Sequence, residues 1–236
     1  MSMEKKGVLY CVGVGPGDPE LLTLKAVRTI ERCPVLAAPR TKSGAMLALD
    51  IVRGAVEVQG KTLLPLFFSM SRSEEARRRD YDAAADAIAA HLQGGEDAAL
   101  LNLGDVSVYA TCGLIAERLK DRGFETVMIP GVTSFCAAAA ALGESLTVRD
   151  EPLHIIPAGA CDTSEALSLP GTKVLMKAGR NLAHVLSALK ERGCIASAAM
   201  VADCGLPGEK ICRDLTKPPE DPGYFVTLIV RGTETQ

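Results

Sequence analysis

Three short loops carry the residue types from which a ligand site is made. The first is Gly13-Val14-Gly15-Pro16-Gly17-Asp18-Pro19-Glu20-Leu21-Leu22-Thr23, directly after the mostly apolar run 8–12. Glycine opens backbone conformations closed to other residues and proline fixes φ. The segment therefore reads as a rigid turn between a strand and a helix that Asp18 opens. Alone, it fits a ligand-facing loop and a plain βα turn equally well. The second loop, Gly104-Asp105-Val106-Ser107-Val108-Tyr109, follows the buried-strand run 98–103, and the third, Pro130-Gly131-Val132-Thr133-Ser134, follows 126–129. In an open α/β sheet ligands lie beyond the carboxyl ends of the strands, so three such loops can converge on one crevice and bind there.

These loops need a scaffold, and the flanking sequence supplies one. Leu21, Leu24, Val27 and Ile30 keep helical spacing as far as Cys33, and Pro34 ends that helix before a strand over 35–38. A helix over 45–52 and a strand over 62–68, despite Pro65, come next. Ser71-Arg72-Ser73-Glu74 reads as a capping box opening a long helix to about Leu92. The strand ending at Leu103, a helix from about Ser107 to Arg122 closed by Gly123, and a strand at Val127 complete an alternation. It predicts a mostly parallel sheet with helices on its faces. After Gly143 the rhythm changes. Segment 144–152 has little apolar periodicity, and strands at 154–156, 173–176, 198–202 and 225–230 then outnumber the helix at 181–192. The expected organisation is an N-terminal α/β domain over 1–143 and a smaller mixed-sheet α/β domain over 144–236.

The set GVGPGDPELLT, LGDVSVYA and PGVTS, in this order and at these intervals, resembles the tetrapyrrole methylases, a two-domain family that uses S-adenosylmethionine. The match runs from about Leu9 to Arg231. Within the family the chain is most similar to the methyltransferases acting on C-20 of precorrin-2 or cobalt-factor II in cobalamin synthesis. Segment 130–143, Val174-Leu175-Met176-Lys177 and segment 224–230 carry that likeness. The family usually has Gly-Asp-Pro where this chain has Gly104-Asp105-Val106, so the backbone there is less rigidly preset while the acidic side chain is retained.

The resemblance implies a cofactor, S-adenosylmethionine, in the cleft between two α/β domains, and a tetrapyrrole substrate. It assigns Pro16, Leu103, Gly104, Asp105, Val108, Thr133, Ser134, Met176 and Gly205 to cofactor binding. It places Gly15, Gly17, Arg40 and Lys42 where a substrate rimmed with acetate and propionate groups would lie. Asp105 and Tyr109 stand as the catalytic candidates. Asp105 also fits as a cap for the helix near Ser107, Thr133 and Ser134 fit as N-caps, and Met176 fits as a core strand residue. Asp105→Ala is expected to weaken cofactor binding with little loss of folding. Arg72, Arg77, Arg78 and Arg79 cluster at the start of the long helix, a solvated face or further cations for the substrate, and Lys177 and Arg180 near a strand end are equally open. Homodimers are usual in the family, which sets the expectation for assembly.

Bulk properties narrow the alternatives. The formal charge of −3, from 26 basic and 29 acidic residues, gives no global basic field of the kind nucleic-acid binding leaves. This disfavours a methylase of the same superfamily acting on ribosomal RNA, and a protein target such as the diphthamide precursor is the other macromolecular alternative. A dinucleotide oxidoreductase fails on spacing, because the third glycine of its fingerprint would fall at Asp18. No apolar stretch approaches the ~20 residues of a membrane span, and no signal-like segment opens the chain, so a cytoplasmic location without membrane attachment is expected. The eight cysteines lack any CxxC pair and read mostly as small buried residues in a reducing compartment. With three histidines (His91, His154, His184), no metal site is expected.

Overall fold

The computed structural model describes residues 5–69, 73–159 and 162–232. The chain divides after Thr133 into two compact units. The first strings together β1 (Leu9–Gly13), α1 (Leu24–Arg32), β2 (Val35–Arg40), α2 (Leu47–Arg53), β3 (Thr62–Phe67), α3 (Glu74–Gln93), β4 (Ala98–Asn102), α4 (Cys112–Asp121) and β5 (Thr126–Ile129). Its five strands pair in the order β3-β2-β4-β1-β5, every neighbour parallel.

Successive side chains of a strand point to opposite faces, and a sheet covered on both faces needs apolar residues at nearly every position. Leu9 and Cys11 of β1 accordingly join Ile88, Leu92, Ile115 and Leu119 of α3 and α4 in one core. Val12 joins Ala26, Ile30, Leu49 and Val52 of α1 and α2 in the other. Each fully buried leucine or isoleucine contributes about 1.5–3 kcal/mol. The chain thus leaves β1 toward one face and leaves its neighbour β4 toward the opposite face, the kind of switch point beyond whose strand ends open α/β sheets bind ligands. Pro65 is tolerated because β3 is an edge strand. Pro39 is tolerated because it lies beyond Ala37, where the pairing of β2 with β4 stops.

Three element starts differ from the sequence expectation. Asp18 caps only a 3₁₀ turn over Pro19–Leu21, accepting from the Glu20 amide at 2.8 Å. The helix α1 starts later, with the Thr23 hydroxyl accepting from the Ala26 amide at 3.1 Å. Leu24 is consequently 74% exposed rather than buried. On α3 the cap is Ser73, which accepts from the Ala76 amide, while Ser71 and Arg72 lie outside the described residues. Arg77, Arg78 and Arg79 are exposed on its first turns. Finally, α4 begins at Cys112 and not near Ser107. Residues 105–111 form a loop in which Tyr109 adopts a left-handed φ of 48°. Arg118 pairs with Asp82 and Arg122 with Asp86, each at 2.6 Å, so one helical step is matched on α3 and α4.

The second unit contains α5 (Ser134–Leu142), β6 (Leu153–Pro157), α6 (Thr163–Leu167), β7 (Thr172–Met176), α7 (Leu182–Glu191), β8 (Ala198–Ala202), β9 (Lys210–Cys212) and β10 (Val226–Val230). Its sheet has the order β6-β7-β10-β8-β9; β6 and β7 are parallel and the other pairs antiparallel, a mixed sheet. Leu167, Leu182, Val185 and Leu189 of α6 and α7 cover Leu175, Met200 and Leu228. The helix α5 packs on β8 and β10, and Glu144 receives Arg213 and Arg231. The helix α5 thus belongs to the second compact unit, which begins at Ser134. Among the described residues no helix is long and apolar enough to cross a membrane. Cys11, Cys33, Cys112 and Cys204 are buried; Cys161 lies outside the described residues.

Candidate functional site

Backbone meets backbone where β1, β4 and β5 end. A Cβ on Gly13 would stand 2.7 Å from both the Gly104 carbonyl oxygen and the Gly131 amide nitrogen, closer than any side chain allows. Gly15 and Gly104 exchange hydrogen bonds: the Gly15 N–H donates to the Gly104 carbonyl at 3.2 Å, and the Gly104 N–H to the Gly15 carbonyl at 2.7 Å. Their φ values of 77° and 76° lie in the left-handed region that glycine adopts without penalty. The Val14 N–H donates to the Asn102 carbonyl at 2.9 Å, and the Thr23 hydroxyl to the Pro130 carbonyl at 3.4 Å. The three loops form one hydrogen-bonded assembly.

Asp105 ties the second loop to the third. Its Oδ1 accepts from the Ser107 amide at 2.8 Å and from the Ser107 hydroxyl, and its Oδ2 accepts from the Gly131 amide at 2.9 Å. Burial by itself would raise the pKa of this carboxyl. The hydrogen bonds from Ser107, Gly131 and the Val106 amide outweigh burial and hold it below the ordinary carboxylate range. A carboxylate so supplied with donors anchors a loop well and accepts a proton poorly, so the geometry disfavours it as a general base. It caps the turn at Ser107, because α4 starts five residues further on, at Cys112. The missing family proline is answered by Val106, which is 5% exposed and packed into the core beneath the loop.

Around this knot Gly15, Pro16 and Gly17 are buried, Leu103, Val108 and Thr133 are half-buried, and Tyr109 is 43% exposed. Gly104 is buried as well, yet a Cβ on it would meet nothing within 4 Å, so ligand atoms have room beside its backbone. Arg40 and Lys42 are exposed beyond β2, and the Arg40 guanidinium lies 5.3 Å from the Phe67 ring centroid. No described contact joins them to the three loops. In the second unit Ser134 opens α5, and Met176 ends β7 in register with Thr227 and Pro157. Gly205, at φ 75°, follows β8 and donates its amide to Glu209 at 2.8 Å.

Two contributors escaped the sequence reading. Asn102 donates from Nδ2 to the Leu103 and Asp105 carbonyls at 2.9 and 3.0 Å and so shapes the second loop. Its signal was present: it is the polar residue in the run Ala98-Ala99-Leu100-Leu101-Asn102-Leu103. Ser107 stood in view as part of the loop without a role.

A parallel sheet with interlocked glycine loops beyond β1, β4 and β5, continued by a mixed-sheet unit, is the arrangement of a defined class of proteins. The family model of the Tetrapyrrole (Corrin/Porphyrin) Methylases matches residues 8–217, and the chain belongs to that family. It is 31% identical over 229 residues to the cobalt-precorrin-2 C(20)-methyltransferase of Salmonella typhimurium, covering 95% of this chain and 96% of the relative. It is 30% identical over 236 residues to the precorrin-2 C(20)-methyltransferase of Sinorhizobium sp, covering 96% of each. Among solved structures, the uroporphyrin-III C-methyltransferase of Thermus thermophilus complexed with S-adenosylhomocysteine superposes with a TM-score of 0.70 at 21% identity. That superposition covers 95% of this chain and 92% of that one, a likeness of fold.

Proposed function

We propose that the protein is an S-adenosylmethionine-dependent C-methyltransferase that methylates C-20 of precorrin-2 or cobalt-factor II in cobalamin biosynthesis. The observation that carries this reading is the end-to-end similarity to two C(20)-methyltransferases, at 31% and 30% identity. In this reading Pro16, Leu103, Gly104, Asp105, Val108 and Thr133 of the first unit, with Ser134, Met176 and Gly205 of the second, hold the cofactor. Gly15, Gly17, Arg40 and Lys42 face the substrate. The cofactor supplies an already activated methyl group on a sulfonium, so the protein's part is orientation and exclusion of water. The Gly15–Gly104 bridge fixes the main chain of two loops at once, and Asp105 fixes the third, so the donors and acceptors are set before a ligand arrives. Tyr109, displayed by its left-handed backbone, is the remaining catalytic candidate. A cytoplasmic homodimer is the accompanying expectation from the family.

The deciding assay is mass spectrometry of the tetrapyrrole after incubation with S-adenosylmethionine and, in parallel, metal-free precorrin-2 and cobalt-factor II. Gain of one methyl group on one of them is the expected result and chooses between the two substrates. Methylation of neither, with S-adenosylmethionine still bound, would reject the substrate assignment and keep the cofactor.

A further inference from the structure

Asn102 ends β4, in which Ala98, Ala99, Leu100 and Leu101 are all buried, and a polar amide adds nothing to the packing of such a strand. Its main chain and its side chain are used in different directions. The Asn102 carbonyl accepts from the Val14 amide at 2.9 Å, holding the first loop. The side-chain Nδ2 donates to the Leu103 carbonyl at 2.9 Å and to the Asp105 carbonyl at 3.0 Å, holding the second.

Those two side-chain bonds decide which way the peptide groups of the second loop face. The C=O and N–H of a planar trans peptide point to opposite sides. In the peptide joining residues 103 and 104, Asn102 takes the carbonyl and the Gly15 carbonyl takes the amide, at 2.7 Å. In the peptide joining residues 105 and 106, Asn102 takes the carbonyl and the Asp105 carboxylate takes the amide. The peptide between them is held from one side. Its Gly104 carbonyl accepts from the Gly15 amide at 3.2 Å, so the Asp105 amide points away from the first loop. Among the described residues no acceptor meets that amide, although Asp105 is buried. Buried main-chain donors are nearly always paired. This one adjoins Gly104, beside which an added Cβ would meet nothing within 4 Å.

Resting on the function proposed above, we infer that Asn102 is a positioning residue for the cofactor. By fixing the Leu103 and Asp105 carbonyls it aims the Asp105 amide at an acceptor atom of S-adenosylmethionine, a hydroxyl or carboxylate oxygen or a ring nitrogen. The loop is set before the ligand arrives, so no ordering cost falls on binding.

The test uses the full chain, with affinity for S-adenosylmethionine read by calorimetry where circular dichroism shows each variant folded. Asn102→Leu keeps the branched shape and removes the donors. It should weaken binding about tenfold, the scale of one hydrogen bond. Asn102→Asp keeps the shape and sets acceptors against two carbonyl oxygens, so it should weaken binding further. In the methylation assay KM for S-adenosylmethionine should rise by the same factor while kcat holds, the mark of a binding contact. Lost stability alone would lower the urea midpoint and leave the affinity of the folded protein unchanged. Parental affinity in both folded variants overturns the role, and so does a fall in kcat with a parental KM. Failure of both variants to fold would make Asn102 a folding residue and overturn it as well. A parent chain that does not bind S-adenosylmethionine overturns this role together with the cofactor assignment. Binding that depends on Asn102, without methyl transfer to precorrin-2 or cobalt-factor II, keeps the role and rejects the reaction.

Discussion

Gly131→Ala is expected to destabilise the first unit by about 3 kcal/mol, the upper end of ordinary overpacking, because nothing near it can yield. The added methyl would sit on the Gly104 carbonyl oxygen and 2.8 Å from the Gly13 carbonyl carbon, main-chain atoms held by the Gly15–Gly104 bridge and by the end of β1. Gly104→Ala should behave in the opposite sense. Its methyl meets nothing within 4 Å, so only the left-handed φ of 76° is penalised, at roughly 1 kcal/mol. That methyl would, however, occupy the space proposed for the cofactor. Urea unfolding followed by circular dichroism, paired with calorimetry of S-adenosylmethionine, checks both variants. Gly131→Ala should lose stability first, and Gly104→Ala should lose affinity at least tenfold while folding nearly normally. Parental affinity in Gly104→Ala would remove the second loop from the site.

The second large effect concerns Asp105. Asp105 is 8% exposed and its carboxylate accepts from Ser107 and Gly131, so Asp105→Asn leaves one of these donors facing an amide NH₂. The expected cost is about 2–3 kcal/mol. Asp105→Ala should cost at least as much, so the expectation that this substitution spares folding does not survive the geometry. The pH dependence has a definite sign. The folded-state pKa is depressed, so the stabilisation is fully present above the unfolded value of about 3.9 and is lost as pH falls through the lower folded value. The stability gap between the parent chain and Asp105→Asn should therefore be constant above about pH 5 and close in stronger acid. A gap that persists unchanged at pH 2 would show that the carboxylate's charge is not what ties the loops.

Much of this architecture was legible in the sequence because burial on two faces writes long apolar runs. The strand at Ala198–Ala202 and that at Thr126–Ile129 were readable to the residue, and the glycine loops followed their strands where expected. What was misread has a common cause, namely side-chain hydrogen bonds competing with helix at strand ends. Asp18 and Thr23 both make good caps, and only the packing of α1 decides between them. Asp105 looked like the start of α4, yet its partner across 26 residues, Gly131, keeps the segment a loop. The strand β9 and the helix α6 are too short, at three and five residues, to leave a periodic trace. The placement of Asn102 among apolar neighbours carried a signal that periodicity counts as noise.

Gly13, Gly104 and Gly131 come from chain positions that no local segment unites, and their contact needs β1, β4 and β5 in register together. Non-local pairings of this kind close late, since the entropy of the intervening chain must be overcome before they are rewarded. The loop assembly therefore cannot exist in a partly folded first unit that lacks β5. Its formation marks the end of that unit's folding, and any ligand it binds would report on the completed sheet and retard the sheet's first step of opening.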